Sequence, residues 1–449
     1  MKKKKVVSRI VYRISLGIVI LALLSLFGAT IKHVVNGGER LGKLTKPVIT
    51  FINFPNLVAE SFSELSKNMP SYGIYNDSKQ CINELDYDLF ILQSFYSPEP
   101  GSWEIRLINL KTDSTLHSWY LQKEDFIKYK LVHNRSVALN SILLEDSSIV
   151  VLNDESPNLY RINADSEIIW KNSSTIFHHS LNLDEDGNIW ACSAELRRFR
   201  ARTYNKRASV YRDDFITKVD VETGEILYKK GVAEILIENG YHNLVYGIPS
   251  TRNTTDGFVD PIHLNDIEPV LEDHKILEKG DLLLSIRTPS IIVHYRPATN
   301  EIKRLIFGPL LNQHDVDIVG LDSISIFNNN ATFLDLQIAE PDPSNYMLPP
   351  SKQHTDTIAY SNVVLYALSD STFSEYYPER FESESIYSET QGLHEILSNG
   401  DVFVESTREL RIYVMNRERT LLIKQYPTSM GNTFHMPSWA RVYEGNPLN

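Results

Sequence analysis

Two cysteines, Cys81 and Cys192, are all that 449 residues contain, so no disulfide framework can hold this fold together. They lie far apart in sequence, and spacing alone leaves open whether they pair. There is no CxxC and no Cys/His cluster of zinc-finger spacing, which excludes a zinc module of that kind. Basic charge is scarce as well: 45 Lys and Arg stand against 57 Asp and Glu, a formal net charge of -12. A phosphate-tracking surface needs a basic stripe, and none follows the N-terminus, so no nucleic-acid partner is expected. A nucleotide cradle is also missing. The stretch GGERLGKLT, residues 37–45, has the G-x-x-x-x-G-K frame of a phosphate loop, but Leu44 stands where Ser or Thr would hold Mg²⁺. It follows an apolar run instead of a buried strand, and reads as a flexible stalk.

That apolar run is ISLGIVILALLSLFGATI, residues 14–31, eighteen residues without a charge, preceded by the six cations of MKKKKVVSRIVYR. At 1.5 Å per residue it reaches about 27 Å, enough to cross a hydrocarbon core. The cations before it hold the N-terminus in the cytoplasm. A cleaved signal peptide is disfavoured because Phe27 stands two residues before Ala29, where a small residue belongs. The expected layout is a cytoplasmic basic segment over 1–13, a single transmembrane helix over 14–31 and a stalk and lead-in over 32–80. An amphipathic helix is expected around Leu57 to Lys67. The body, 81–449, is then membrane-anchored on the periplasmic, extracytoplasmic side.

Hydrophobic residues make up 42% and aromatics 10% of the chain, enough for a substantial core. From Tyr87 onward the sequence breaks into short apolar or alternating runs such as DLFILQSF, SIVVLN, NIWACS, DLLLSI and DVFVEST, punctuated by Asn, Asp, Gly and Ser. Period-2 runs of this length are strands. They also repeat: LNSILLEDSSIVVLN, HHSLNLDEDGNIWACS, QHDVDIVGLDSISIFNN and LHEILSNGDVFVES each give a short opening, a polar turn and a second strand. About six such units predict an all-β, six-bladed β-propeller. Insertions at 193–212 and 335–358 are expected as loops on one face.

In a propeller the innermost strands line the axis, so residues from distant repeats converge there. The first position of that strand carries His179, His263 and His314 in three repeats, His394 in a fourth and Leu139 in the earliest, one repeat-equivalent position. Two chemistries suit converging histidines. Metal binding would add carboxylates such as Asp315, Asp266 or Glu395. Oxyanion handling would add a cation, and Arg287 ends the second strand of the His263 repeat, where it would repel a metal and attract an anion. The oxyanion reading is the stronger. His394 reads as structural, and His274 and His294 as loop and strand surface.

DPIHLNDIE, GDLLLSIRTPSIIVHYRPATNEI and GPLLNQHDVDI, with FHHSLNLDEDGNIW upstream, resemble the bacterial arylsulfotransferase family, which works without adenosine-phosphosulfate. The likeness runs from about residue 100 to 440. It implies a six-bladed propeller that moves a sulfuryl group from an aryl sulfate donor to a phenolic acceptor through a transiently sulfated histidine. By this resemblance His314 is the nucleophile, His263 and His179 support the sulfuryl and bridging oxygens, and Arg287 clamps the charge. His179 is preferred to its neighbour His178 for the catalytic role, and His178 and Asn265 are substrate-binding candidates. No metal and no cofactor is implied. Two other readings are a membrane-anchored propeller that binds sulfated or phenolic ligands without turnover, and an envelope scaffold.

Overall fold

A computed structural model describes residues 15–28, 80–97, 102–122, 138–154, 156–200, 208–247, 258–331, 360–426, 434–435 and 439–448. The segment expected as an amphipathic helix near Leu57 and the insertion at 335–358 lie outside the described residues. The chain divides into two compact units, residues 1–70 with 198–210, and residues 71–197 with 211–449.

In the first unit, residues 15–28 form an α-helix with exposed apolar side chains such as Leu21 and Leu26. Its length is about 21 Å at the standard rise. No helix among the described residues is long and apolar enough to cross a membrane, and residues 14 and 29–31 of the expected span lie outside the described residues.

The second unit carries a six-bladed β-propeller of antiparallel sheets. Blade I contains Phe90–Ser97, Ser102–Asn109 and Ser114–Gln122, and blade II runs from Ala138–Leu143 to Ile168–Asn172. Blade III begins with Ile176–Leu183, blade IV with Leu264–Pro269, blade V with Val316–Val319 and blade VI with Leu393–Ile396. Ring closure uses both ends of the unit: C-terminal Arg441–Tyr443 pairs with the Phe90 strand of blade I, and Ile82–Asn83 pairs with Thr420–Gln425 of blade VI.

Local sequence explains the hairpins. In the turn DEDGN, Asp184 Oδ1 accepts the backbone N–H groups of Asp186 and Asn188, each at 2.9 Å, and Gly187 takes φ +78, a conformation that costs other residues. The apolar faces then pack between blades. One cluster joins Trp119, Leu152 and Leu181 of blades I to III, and others seat III on IV, IV on V, V on VI and VI on I. The core is thus a ring of inter-blade layers, which leaves the axis to polar side chains.

Two expectations are corrected, and one open question is settled. Residues 193–200 and 208–212 are not loop: Ile189–Arg200 and Ala208–Val219 are long strands of blade III, and residues 201–207 between them lie outside the described residues. His294 is buried, with Nε2 2.7 Å from Asp281 Oδ2. It sits on a strand covered by the next blade, which strand alternation alone does not reveal. Cys81 is exposed and Cys192 buried, and both are free.

Candidate functional site

The inner strands are irregular where the histidines stand. In blade V, Asp315 and His314 both face Phe327, since Phe327 N donates to Asp315 O and His314 N to Phe327 O. Blade IV has a register shift between Leu264 and Asp266, and blade III one opposite Ala191 and Ser193. Counting back from the hairpin turns, His314, His179 and Asn265 occupy the bulge. His263 comes two residues before that level, and His394, opposite Val404, two residues after it. The histidines therefore do not share one repeat position. Bulges and left-handed bends decide which of them meet.

Non-glycine residues with positive φ gather here: His179 at +55, His263 at +53, Asn312 at +56, Gln391 at +61 and Trp439 at +55. Such conformations are disfavoured for L-residues and persist only where the surroundings over-determine them, as happens at functional sites.

Three rings from blades III, IV and V converge. The His179 ring centroid is 5.3 Å from that of His263 and 6.0 Å from that of His314. Arg287 Nη1 lies 3.4 Å from His263 Nε2. The four expected residues thus stand together in one cluster, buried except for a partly exposed His263. His178 is set apart: fully buried, its Nδ1 is 2.8 Å from His179 Nδ1 and its Nε2 3.3 Å from Asp214 Oδ1. Asn265 is also buried, and its Nδ2 donates to Gln313 O at 2.7 Å, tying blade IV to blade V. His394 turns away, toward Asp315 and Asp317.

Each converging histidine has a distinct partner. His314 Nδ1 is 2.6 Å from Asn329 Oδ1, while Asn329 Nδ2 donates to Ser388 O at 2.7 Å and Gln391 O at 2.6 Å. The amide is so oriented that its oxygen accepts. The proton of a neutral His314 ring is therefore on Nδ1 and the lone pair on Nε2. That lone pair accepts the Gln391 N–H at 3.0 Å. His263 Nδ1 pairs with Asp260 Oδ2. Burial works against a charged His263, but the Asp260 carboxylate outweighs it and raises the pKa. Burial pushes His179 well below the usual histidine value, and the neighbouring His178, His263, His314 and Arg212 push the same way. Burial alone would raise the Asp214 carboxyl, yet the Arg212 guanidinium, with Nε at 2.9 Å, and His178 hold it low.

Chemically this is a cluster with one neutral ring, one ring biased toward protonation, one ring with a fixed tautomer and a guanidinium. Such a set suits an anion with three equivalent oxygens. The sequence reading missed Asp260, Asp214, Asn329 and Trp439. Asp260 could have been found three residues before His263, and Asn329 in the NNN run. Trp439, whose ring is 6.0 Å from His179 and 6.3 Å from His314, carries no local signal. It is held by backbone N–H groups of Trp439 and Ala440 donating to Glu405 at 2.9 and 2.8 Å.

The family profile described as arylsulfotransferase (ASST) matches residues 133–425, more than half of the chain. No curated protein matches the sequence. Among solved structures, a protein of unknown function from Bacteroides caccae is 11% identical, with a TM-score of 0.46 over 79% of this chain and 98% of its own. A catalytically inactive virginiamycin B lyase from Staphylococcus aureus with quinupristin is 10% identical, with a TM-score of 0.37 over 80% and 91%. Kuenenia stuttgartiensis hydrazine synthase is 11% identical, with a TM-score of 0.40 over 77% and 80%. At these values no residue role passes from them to this chain.

Proposed function

The chain belongs to the arylsulfotransferase family, and from that premise we propose that it moves a sulfuryl group from an aryl sulfate to a phenolic acceptor. His314 is the transient carrier, and no nucleotide donor takes part. The observation that carries this reading is the convergence of His263 and His314 on His179, at 5.3 and 6.0 Å centroid to centroid, with Arg287 against His263.

In the first half-reaction the lone pair on His314 Nε2 forms the N–S bond and the bond from sulfur to the aryl oxygen breaks. The departing phenolate takes a proton from His263, whose charged form Asp260 favours. In the second half the acceptor phenol returns a proton to His263 as its oxygen attacks sulfur, and the N–S electron pair goes back to the imidazole. Arg287 and His179 face the sulfuryl oxygens, His178 holds His179, and Trp439 offers an aromatic wall to the aryl ring. An anion between Arg287 and His263 also relieves the contact of two cations.

The Asn329 hydrogen bond supports His314 as nucleophile because it fixes the proton on the other nitrogen. One observation favours a propeller that binds aryl sulfates without turnover: the Gln391 N–H occupies the Nε2 lone pair, and attack requires that bond to be given up. The test is incubation of the protein with a chromogenic aryl sulfate. With a phenol present, transfer should be ping-pong. Without acceptor, His314 should carry the sulfuryl group, and His314→Ala should lose both labelling and phenolate release. Full transfer activity in His314→Ala would remove His314 as carrier, and binding without labelling in the unmutated protein would leave the binding module as the better reading. On the six cations of residues 1–13, the proposal also puts the body outside the cytoplasm, on an anchor over 14–31.

A further inference from the structure

His394 has a ring atom that the transfer site does not use. The side chain is fully buried, with Nδ1 2.9 Å from Asp315 Oδ2, which also accepts the His394 backbone N–H at 2.9 Å. Since Asp315 Oδ2 already accepts the backbone N–H, it accepts from the ring as well, so the ring proton is on Nδ1 and Nε2 holds a lone pair. That lone pair stands 3.4 Å from Asp317 Oδ2. Both atoms are buried, and neither has a hydrogen-bond partner among the described residues.

Two buried lone pairs facing each other need a positive centre between them. A proton on Asp317 would draw oxygen and nitrogen to about 2.7–3.0 Å, closer than they stand. Two ligands of a tetrahedral ion with bonds of about 2.0–2.1 Å sit about 3.4 Å apart, which is the spacing found. Asp315, Asp317 and His394 each offer one ligand atom, all within 4.8 Å of one another. A histidine whose second nitrogen donates to a carboxylate is also how metal-bound imidazoles are oriented.

We propose that a divalent transition-metal ion, zinc or manganese, sits on the channel side between His394 Nε2 and Asp317 Oδ2, with Asp315 beside it, and ties blade V to blade VI. One imidazole with carboxylates suits such ions better than calcium or magnesium, which take oxygen sets. The ion is a structural clip and takes no step in sulfuryl transfer.

The full-length chain, purified without chelator, should contain close to one zinc or manganese per molecule by elemental analysis. After chelator treatment and dialysis, Zn²⁺ or Mn²⁺ at a hundredfold excess over Kd should raise the melting temperature by about 3–5 °C. Asp317→Asn and His394→Gln should lose both the metal and the shift. Asp317→Asn keeps the side-chain shape, so it remains a test if His394→Gln fails to fold. The proposal is overturned if the unmutated chain holds no metal and shows no shift with either ion. Stabilisation by Ca²⁺ alone, or Asp317→Asn with unchanged metal content, overturns it too. No sulfate donor enters the experiment, so it stands or fails apart from the transferase reading.

Discussion

His179 and His263, with ring centroids 5.3 Å apart, are driven toward opposite charge states by what surrounds them. Burial lowers both, but only His263 has a carboxylate, Asp260, against Nδ1. The pH consequences have opposite sign. His263 has a folded pKa above its unfolded value of about 6.5, so its contribution to stability is fully present below that pH and is lost as pH rises through the folded value. His179 has a folded pKa far below the unfolded one, so it removes stability as pH falls below about 6.5. Asp260→Asn removes the first effect. Its stability deficit against the unmutated protein, from urea unfolding, should be largest near pH 6 and shrink by pH 9. If His263 supplies the leaving-group proton, the same substitution should lower kcat/KM at pH 7 by about two orders of magnitude and move the alkaline limb of the pH profile to lower pH. An unchanged profile would take His263 out of the proton path.

At the level of elements, the inner strands owe their usefulness to being imperfect. A regular strand would alternate side chains between two faces, whereas the bulge at His314 turns consecutive residues toward the axis. The loop that leads into blade VI completes this arrangement. Gln391 and Gly392 both take positive φ, and a Cβ on Gly392 would meet Phe327 Cε1 at 2.5 Å. Gly392→Ala should therefore cost about 1–3 kcal/mol through overpacking against a buried ring. A lowered urea midpoint with unchanged m-value would register it. The same change pushes the Gln391 N–H off His314 Nε2, so the His314 ring resonances should shift by NMR in any fraction that stays folded.

For the whole molecule, closure and orientation matter most. Arg441, on the C-terminal closing strand, has Nη2 donating to Asn140 Oδ1 at 2.6 Å, Leu181 O at 2.5 Å and Asn182 Oδ1 at 3.1 Å, which links the closing strand to blades II and III. Arg441→Ala leaves these acceptors short of a donor and should cost about 1–3 kcal/mol. A thermal scan with no loss of melting temperature would show that closure rests on backbone pairing and packing alone. The cysteines report on orientation, since Cys81 is exposed and Cys192 buried. If the body lies outside the cytoplasm, a membrane-impermeant maleimide should label Cys81 in intact spheroplasts, and Cys192 only after denaturation. Labelling of Cys81 that requires permeabilisation would reverse the proposed topology.

The blade pattern was legible because its causes are local. Strand alternation in SIVVLN or DVFVEST and the Asp and Gly turns between strands are short-range preferences, and their repetition predicts the number of blades. His179, His263, His314 and Arg287 were legible as candidates because a ring of repeats brings equivalent strands to one axis. What only the tertiary structure decided depends on contacts between residues distant in the chain. Bulges, which leave little trace in composition, put His263 and His394 on different levels from His314. Inter-blade packing buried His294 and kept Cys192 from Cys81. The partners that fix each ring, Asp260 for His263 and Asn329 for His314, act through hydrogen bonds whose geometry exists only once the loops are closed. Trp439 reaches His179 from the far end of the sequence because the last strand returns to complete the first blade, a pairing set by closure of the ring and not by any local preference of its residues.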